Sequence, residues 1–516
     1  MKTFAKAVVL ITAFAVTTRA IGFIFRIFLS RILGPELLGV YQIAFSFFMV
    51  FLTIIASGLP IVISRKVAIG NFASNKKSLR KLIAAALVIS LSTSFAIIIL
   101  VFALASPLTA LFADPRSMPI LATLIPAIIA YSIYTVFRAV WWGQKRFFLL
   151  GVTELTEQIA RVLIFLAFFA LAFMFTDFAF MAALSFTIAC FISAVIVVIL
   201  YWRESKKSRG TSSMPHPVLA ERHYNYLLKT ATPITAVRVI TSVILPVIAI
   251  IIPMRLIASG WASSDAVAHF GIAVGMTLPL LSIPQTVISS MATALVPELS
   301  NSYQSGETEK ANRQIKECIK FTLFVNFLLI PVFMAVGVGL GRFLFNNEQA
   351  GIYLVQSAWI MIPLSLSLIT NAILNSLGLE TRAMAHYVIG SFFLLLAVWF
   401  LPQFIGVGAL IVGIGICTSI ASVLNLGMIA RHTNADIGFG GMIFKFILIS
   451  IPAILSGHFL FNLVDSGLPL ILSLPIAGGV TFTLLLALAY VFNLVEFESF
   501  KSRFKLSGSR YQRSKT

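Results

Sequence analysis

Apolar residues run through this chain in long unbroken stretches, not in the short alternating pattern of half-buried strands. About twenty consecutive apolar residues cross a bilayer as a helix. On that measure the pattern predicts about fourteen helices: 6–29, 38–63, 82–105, 118–142, 148–173, 178–201, 228–257, 267–297, 319–345, 351–378, 383–404, 406–430, 442–464 and 468–493. The longest polar break, Trp202 to Tyr226, carries Arg203, Lys206, Lys207 and Arg209 and separates six helices from eight. The expected organisation is a six-helix lobe (1–201), a basic linker (202–226), a second six-helix lobe (227–430), two additional helices (431–495) and a basic tail (496–516).

The second group weakly repeats the first. The second helix ends GLPIVIS and the eighth ends ALVPELS, so Pro60 and Pro297 are 237 residues apart. The fourth helix runs out through Trp142-Gly143-Gln144 and the tenth through Leu377-Gly378-Leu379, an offset of 235. Parallel repeats related about the membrane normal, with a site between the halves, are a transporter architecture. Prolines within the spans (Pro233, Pro246, Pro253, Pro279, Pro284, Pro331, Pro363) offer kinks to moving helices.

Composition turns this pattern into a fold class. Hydrophobic residues make up 59% of the 516 and charged residues 11%, too few charges to cover a water-facing surface. The chain reads as an all-α polytopic membrane protein. Its net charge of +20 would suit nucleic acid, but 29 of the 38 Lys and Arg lie in the termini and in alternate loops. That is the positive-inside distribution, which places both termini in the cytoplasm and leaves no need for nucleic acid. The N-terminus (Lys2, Lys6, then an apolar run from Ala7) imitates a secretory signal. Arg19 stands where a cleavage site wants small neutral residues, so an uncleaved first helix is expected. Cys190, Cys318 and Cys417 are widely separated and predict neither disulfides nor zinc.

Charges at membrane depth are costly and rare, so each needs a reason. Arg19 and Arg26 lie two turns apart on the first helix, Arg238 about three turns into the seventh. On the fifth helix Glu157 and Arg161 form an i, i+4 pair with the glutamate N-terminal, the favourable order. The pair could serve only to hold that helix against its neighbours. Arg138 and Arg255, near helix ends, are expected to snorkel to an interface. Arg19, Arg26, Arg161 and Arg238 against Glu154 and Glu157 leave about two unmatched positive charges, which points to a hydrated cavity receiving an anion. Arginine's planar fork suits phosphate.

Other chemistry is missing. There is no Gly-Lys dipeptide for a Walker A loop and no HExxH, so neither a cofactor nor a metal is expected. A membrane-embedded glycosyltransferase would have only Glu154 and Glu157 as an acid/base pair, and with short external loops the chain reads as a non-enzyme.

The runs TRAIGFIFRIFLSRILGPELLGVYQIAFSF (Thr18–Phe47), GLPIVISRKVA (Gly58–Ala68), TELTEQIAR (Thr153–Arg161), ATPITAVRVI (Ala231–Ile240) and ALVPELS (Ala294–Ser300) resemble the stage V sporulation protein B family. It sits beside the lipid II flippases in the multidrug/oligosaccharidyl-lipid/polysaccharide exporter superfamily. The resemblance implies fourteen helices in two lobes, alternating access, and flipping of an undecaprenyl-pyrophosphate-linked sugar in the cell membrane. It also implies lipid-linked oligosaccharide and membrane lipids as partners, cell-wall synthesis enzymes as neighbours, and a monomer. Arg19 matches the flippases' first-helix arginine, and Arg26 resembles their second, displaced by one residue. The second-helix arginine pair of some flippases falls on Leu52-Thr53, and their eighth-helix arginine has no counterpart between Ala268 and Ala294. Arg238, which follows the sporulation-protein pattern, is expected to substitute. The substrate-binding set is therefore Arg19, Arg26, Arg161, Arg238 and Glu157.

Overall fold

A computed structural model describes residues 2–69, 76–171, 177–207, 223–433, 440–465 and 467–492. Most of the expected linker and the whole basic tail lie outside the described residues. In chain order the helices are α1 (Lys2–Ala56), α2 (Gly58–Ile69), α3 (Lys76–Ala103), α4 (Ala105–Leu111), α5 (Ser117–Leu124), α6 (Ala127–Gly143), α7 (Phe147–Ala170), α8 (Phe178–Lys207), α9 (His223–Ser242), α10 (Ile244–Ala258) and α11 (Ser263–Gly271). They continue as α12 (Leu278–Leu281), α13 (Ile283–Gln304), α14 (Thr308–Phe345), α15 (Glu348–Ser357), α16 (Met361–Ser376), α17 (Glu380–Phe400), α18 (Pro402–Ile405), α19 (Gly408–Thr433), α20 (Gly440–Asp465) and α21 (Leu470–Val491).

Among the described residues, twelve helical stretches are long and apolar enough to cross a membrane. The first of them, Ala13–Ile69, holds two spans, because α1 is broken at Gly34. Helix α7 is 24 residues long and carries Glu154, Glu157 and Arg161, a charge content that removes it from a purely apolar count. With these two, the described spans reach the expected fourteen. The loop expected at 30–37 shrinks to one residue. Gly34 adopts a left-handed φ of 68° and Pro35 opens the following helix, the conformation glycine reaches without strain and the position proline's fixed φ suits. Arg31, expected in an external loop, is therefore helical.

Proline places several of the other breaks. A proline cannot bond the carbonyl four residues earlier. Four residues before Pro246 is Ser242, where α9 ends, and four before Pro107 is Ala103, where α3 ends. Pro363 follows the 3₁₀ turn Ala358–Ile360. Upstream of Pro279, the segment Ile272–Thr277 is a π-helix.

The chain divides into two compact units, one comprising the chain up to Met276 with Leu395–Leu410, the other Thr277–Leu394 with the chain from Ile411. In the first unit, α2, α3, α6 and α8 share a core around Ile63, Leu82, Tyr134 and Trp141, joined by Leu227 and Ala231 of α9. Two seams there bring backbones together. A Cβ on Gly39 would stand 2.1 Å from the Val267 carbonyl oxygen, and one on Gly271 2.3 Å from that of Pro35. A Cβ on Gly58 would stand 2.2 Å from the Ala231 oxygen, and the Gly58 N–H donates to Thr235 Oγ1 at 3.2 Å. At the end of the unit beside the Gly34 turn, Arg116 donates to Asp114 and to Glu36.

The second unit has its main core between α13, α14, α16, α19, α20 and α21, with Phe327 stacked on Phe446 at 4.4 Å between centroids. Gly341 and Gly351 let α14 and α15 meet, a Cβ on Gly341 falling 2.3 Å from the Gly351 nitrogen. All three cysteines are free and buried, as small apolar side chains between helices.

Two outcomes follow. Gly39→Val forces apart a seam with no room, costing about 1–3 kcal/mol or more. Thermal unfolding in detergent should show a lower midpoint than for Gly427→Ala, where the site is open. Burial alone would raise the Asp114 carboxyl, but hydrogen bonds and charge from Arg116 outweigh it and hold the group below its ordinary value. Its stabilisation is thus complete above the unfolded carboxyl's pKa of roughly 3.9 and disappears as pH falls through the lower folded value. Wild type should lose stability below about pH 4 more steeply than Asp114→Asn.

Candidate functional site

Helix α7 supplies the charged core of the first unit. Arg161 pairs with Glu157 at 3.0 Å, both side chains mostly buried, at 21% and 13% exposure. The Arg161 guanidinium lies over the Phe186 ring of α8, 4.3 Å from its centroid. One turn of geometry thus gives the cation a carboxylate on one side and a π face on the other. Its Nε–H is nonetheless buried with no hydrogen-bond partner. An orphaned guanidinium donor is a strong and directional acceptor-seeking group.

Helix α1 brings the second cation. Phe25 and Phe28 pack edge-on against Phe165 of α7, at 5.5 and 6.2 Å between centroids, and Phe28 meets Phe169 at 6.0 Å. This aromatic seam holds Arg26 beside α7. The buried Tyr41 hydroxyl is within electrostatic reach of both Arg26 and Arg161. None of the ion pairs among the described residues includes Arg26.

Arg138 has partners within its unit. Its Nη2 donates to Glu154 at 2.9 Å, its Nη1 donates to the Tyr134 hydroxyl, and its guanidinium sits 4.9 Å from the Tyr134 ring centroid. Glu154 and Glu157 are therefore each matched to an arginine. The Tyr131 hydroxyl lies within electrostatic reach of Glu157, Arg138 and Glu154, so the two pairs form one polar file on α6 and α7. Arg255 is likewise bound within its unit, donating from Nε to the Trp399 carbonyl at 2.9 Å and lying 5.1 Å from the Trp399 ring centroid.

The expected set is thus partly assembled. Arg26 and Arg161 both lie within electrostatic reach of Tyr41, and Glu157 joins them through its pair with Arg161, two cations against one acid. Arg19, two turns back on α1, is exposed, and Arg238 is exposed on α9 without an ion pair among those described. Beside the file, a cavity of about 260 Å³ is lined by Pro60, Ser64, Tyr131, Tyr134, Arg138 and Trp142, among others.

Sequence reasoning missed a second polar nucleus, in the second unit. Asn425 Nδ2 donates to Thr370 Oγ1 at 3.1 Å and to Asn371 Oδ1 at 3.0 Å, and its Oδ1 meets His386 Nδ1 at 2.8 Å. Asn326 accepts from Ser365 at 3.1 Å. Asparagines inside apolar spans were the available signal, since a buried amide needs partners.

Comparison with known proteins agrees with this architecture. Stage V sporulation protein B of Bacillus subtilis (strain 168) is 22% identical over 394 residues, 76% of this chain and 76% of the relative. Among solved structures, an inward-facing multidrug resistance MATE family transporter of the MOP superfamily superposes with a TM-score of 0.66 at 15% identity, covering 81% of this chain and 96% of that one. The inward closed lipid II flippase MurJ does so with a TM-score of 0.64 at 14% identity, covering 94% and 98%. The fold is therefore the one these transporters share. A family profile described as polysaccharide biosynthesis protein matches residues 4–303, more than half of the sequence, and the chain belongs to that family.

Proposed function

We propose that this protein flips an undecaprenyl-pyrophosphate-linked cell-wall precursor, foremost lipid II, from the inner to the outer leaflet of the cell membrane by alternating access. The observation that carries the reading is the Arg26–Arg161 cluster. It holds a surplus cation and an orphaned, buried N–H at membrane depth, where a bare charge is expensive. A pyrophosphate supplies the missing acceptors and charge. Glu157 keeps Arg161 in position and lowers the net charge so that the anion can leave again. Arg19 and Arg238 extend the positive surface along α1 and α9. The lobes expected from the repeat, 1–201 and 227–430, are the moving bodies in this proposal, with both termini cytoplasmic as the distribution of Lys and Arg suggests.

The names support the lipid II reading: one similar curated protein and one similar fold are each called a lipid II flippase. The family's description, polysaccharide biosynthesis protein, favours a second reading in which the head group is another lipid-linked polysaccharide repeat unit. The two share the pyrophosphate and the prenyl carrier, so the arginines serve either.

In cells depleted of their own lipid II flippase, expression of this protein should restore lipid II to the outer face, read by its accessibility from outside. Arg26→Ala and Arg161→Ala should each lower that recovery about tenfold, the worth of one charge-assisted contact. Arg19→Ala and Arg238→Ala should also lower it. No recovery from correctly inserted protein transfers the proposal to a different lipid-linked glycan, and full activity of both Ala variants at positions 26 and 161 removes the cavity from it.

A further inference from the structure

The roughly 260 Å³ cavity between α2, α6 and the start of α7 lies outside the residues given to the pyrophosphate, and its chemistry differs from theirs. We propose that it is a carbohydrate subsite that takes the sugar ring attached directly to the lipid pyrophosphate. The inference rests on the flippase reading and extends it to the part of the head group that the arginines do not address.

Charge is the first argument. The one cation lining the cavity, Arg138, is already matched by Glu154 at 2.9 Å and engaged by the Tyr134 hydroxyl. A phosphate entering here would meet a neutral ion pair and a nearby carboxylate, and would be better placed beside Arg26 and Arg161. A neutral polyol meets no such penalty. It finds remaining N–H groups of the Arg138 guanidinium as donors and, as acceptors, the hydroxyl oxygens of Ser64 and Thr135, which also line the cavity and whose own O–H groups donate to the Ile61 and Ser132 carbonyls.

Shape and surface are the second. Tyr131, Tyr134 and Trp142 all contribute to the wall, and they recur along α6 at spacings of 3 and 8 residues, which keeps them on one side of the helix. Trp142 is 54% exposed and shares the wall with Pro60 and Ile61. Aromatic faces beside hydroxyls and a paired guanidinium suit a ring with apolar C–H faces and a polar rim. The volume is below the roughly 300–1,000 Å³ of cavities that enclose drug-sized ligands. It admits one sugar ring with its substituents, not a whole disaccharide.

Continuity is the third. Tyr131 belongs to the cavity wall and is within electrostatic reach of Glu157, which in turn pairs with Arg161. The neighbouring places along α6 and α7 are therefore an aromatic, charge-neutral pocket and a cationic one, in the order that a sugar and its pyrophosphate require.

The test uses the purified full chain in lipid nanodiscs and two short-chain probes: farnesyl pyrophosphate, and farnesyl pyrophosphate carrying a single N-acetylhexosamine. Wild type should bind the sugar-bearing probe about tenfold more tightly, the worth of one or two ring contacts. Trp142→Ala and Tyr131→Ala should bring the two affinities within about twofold while leaving that for farnesyl pyrophosphate unchanged, and Trp142→Phe should keep most of the preference. Thr135→Val and Ser64→Ala, which remove hydroxyls without opening a cavity, should weaken only the sugar-bearing probe, and they decide the matter if an aromatic variant does not fold. Equal binding of both probes by wild type, or a preference that survives all these substitutions, overturns the subsite and leaves the flippase reading intact. Failure of wild type to bind either probe overturns the flippase reading, and the subsite with it.

Discussion

A guanidinium at membrane depth must be surrounded by groups that replace its water, and the first unit is arranged around that requirement. Simple removal of one partner from a buried ion pair costs about 3–5 kcal/mol, a large fraction of any protein's net stability. Helix α7 carries Glu154, Glu157 and Arg161 within two turns, so it cannot face lipid on that side. It is held against α1 by Phe25, Phe28 and Phe165, against α6 by Arg138–Glu154, and against α8 by Arg161 over Phe186. Three helices are thus positioned by the solvation needs of one. Where those needs are fully met, at Arg138, the site is neutral. Where they are not, at Arg161 Nε, lies the place we propose for an anion.

The helix seams in the same unit work by the opposite means. Gly39 against Val267 and Gly58 against Ala231 bring backbone to backbone with no side chain between. Without a hydrophobic effect between apolar helices in lipid, small residues and close packing provide the attraction. Such contacts are strong when aligned and vanish after a small shift, because no long side chains bridge the gap. Helix breaks near Pro107, Pro246 and Pro363 leave backbone groups that need not be remade when a helix bends. A transporter requires this combination of dry, separable seams and fixed bends.

Much of the fold was readable in advance because hydrophobic length is a local property. The spans, the charged character of α7 and the Glu157–Arg161 pair are all written within a few residues of one another. The Gly34 turn was misjudged as a loop because one left-handed glycine followed by proline can do what eight residues were expected to do. The partners of Arg138 and Arg255 were not legible for another reason: Glu154, 16 residues away, and Trp399, 144 away, are brought near by tertiary packing alone. The Asn425–His386–Thr370 nucleus was missed because asparagine, histidine and threonine carry no formal charge that a search for membrane-depth ions would register.

Surplus charge sets how such a site can work. A cavity with four arginines and no acids would bind a pyrophosphate and keep it, whereas conduction through a membrane needs a site that binds well enough to fill and weakly enough to empty. In the described cluster Glu157 offsets one of two cations, leaving about one positive charge for the proposed pyrophosphate, which carries more than one negative charge. The attraction is therefore incomplete by design of the charges, and additional affinity has to come from contacts that are neither charged nor long-ranged. Aromatic faces and hydroxyls beside the Arg138–Glu154 pair supply contacts of that kind, which disappear when the ring moves by little more than its own thickness. In the proposed arrangement, division of the head group between a weakly cationic pocket and a neutral aromatic one would let recognition be specific while release remains possible.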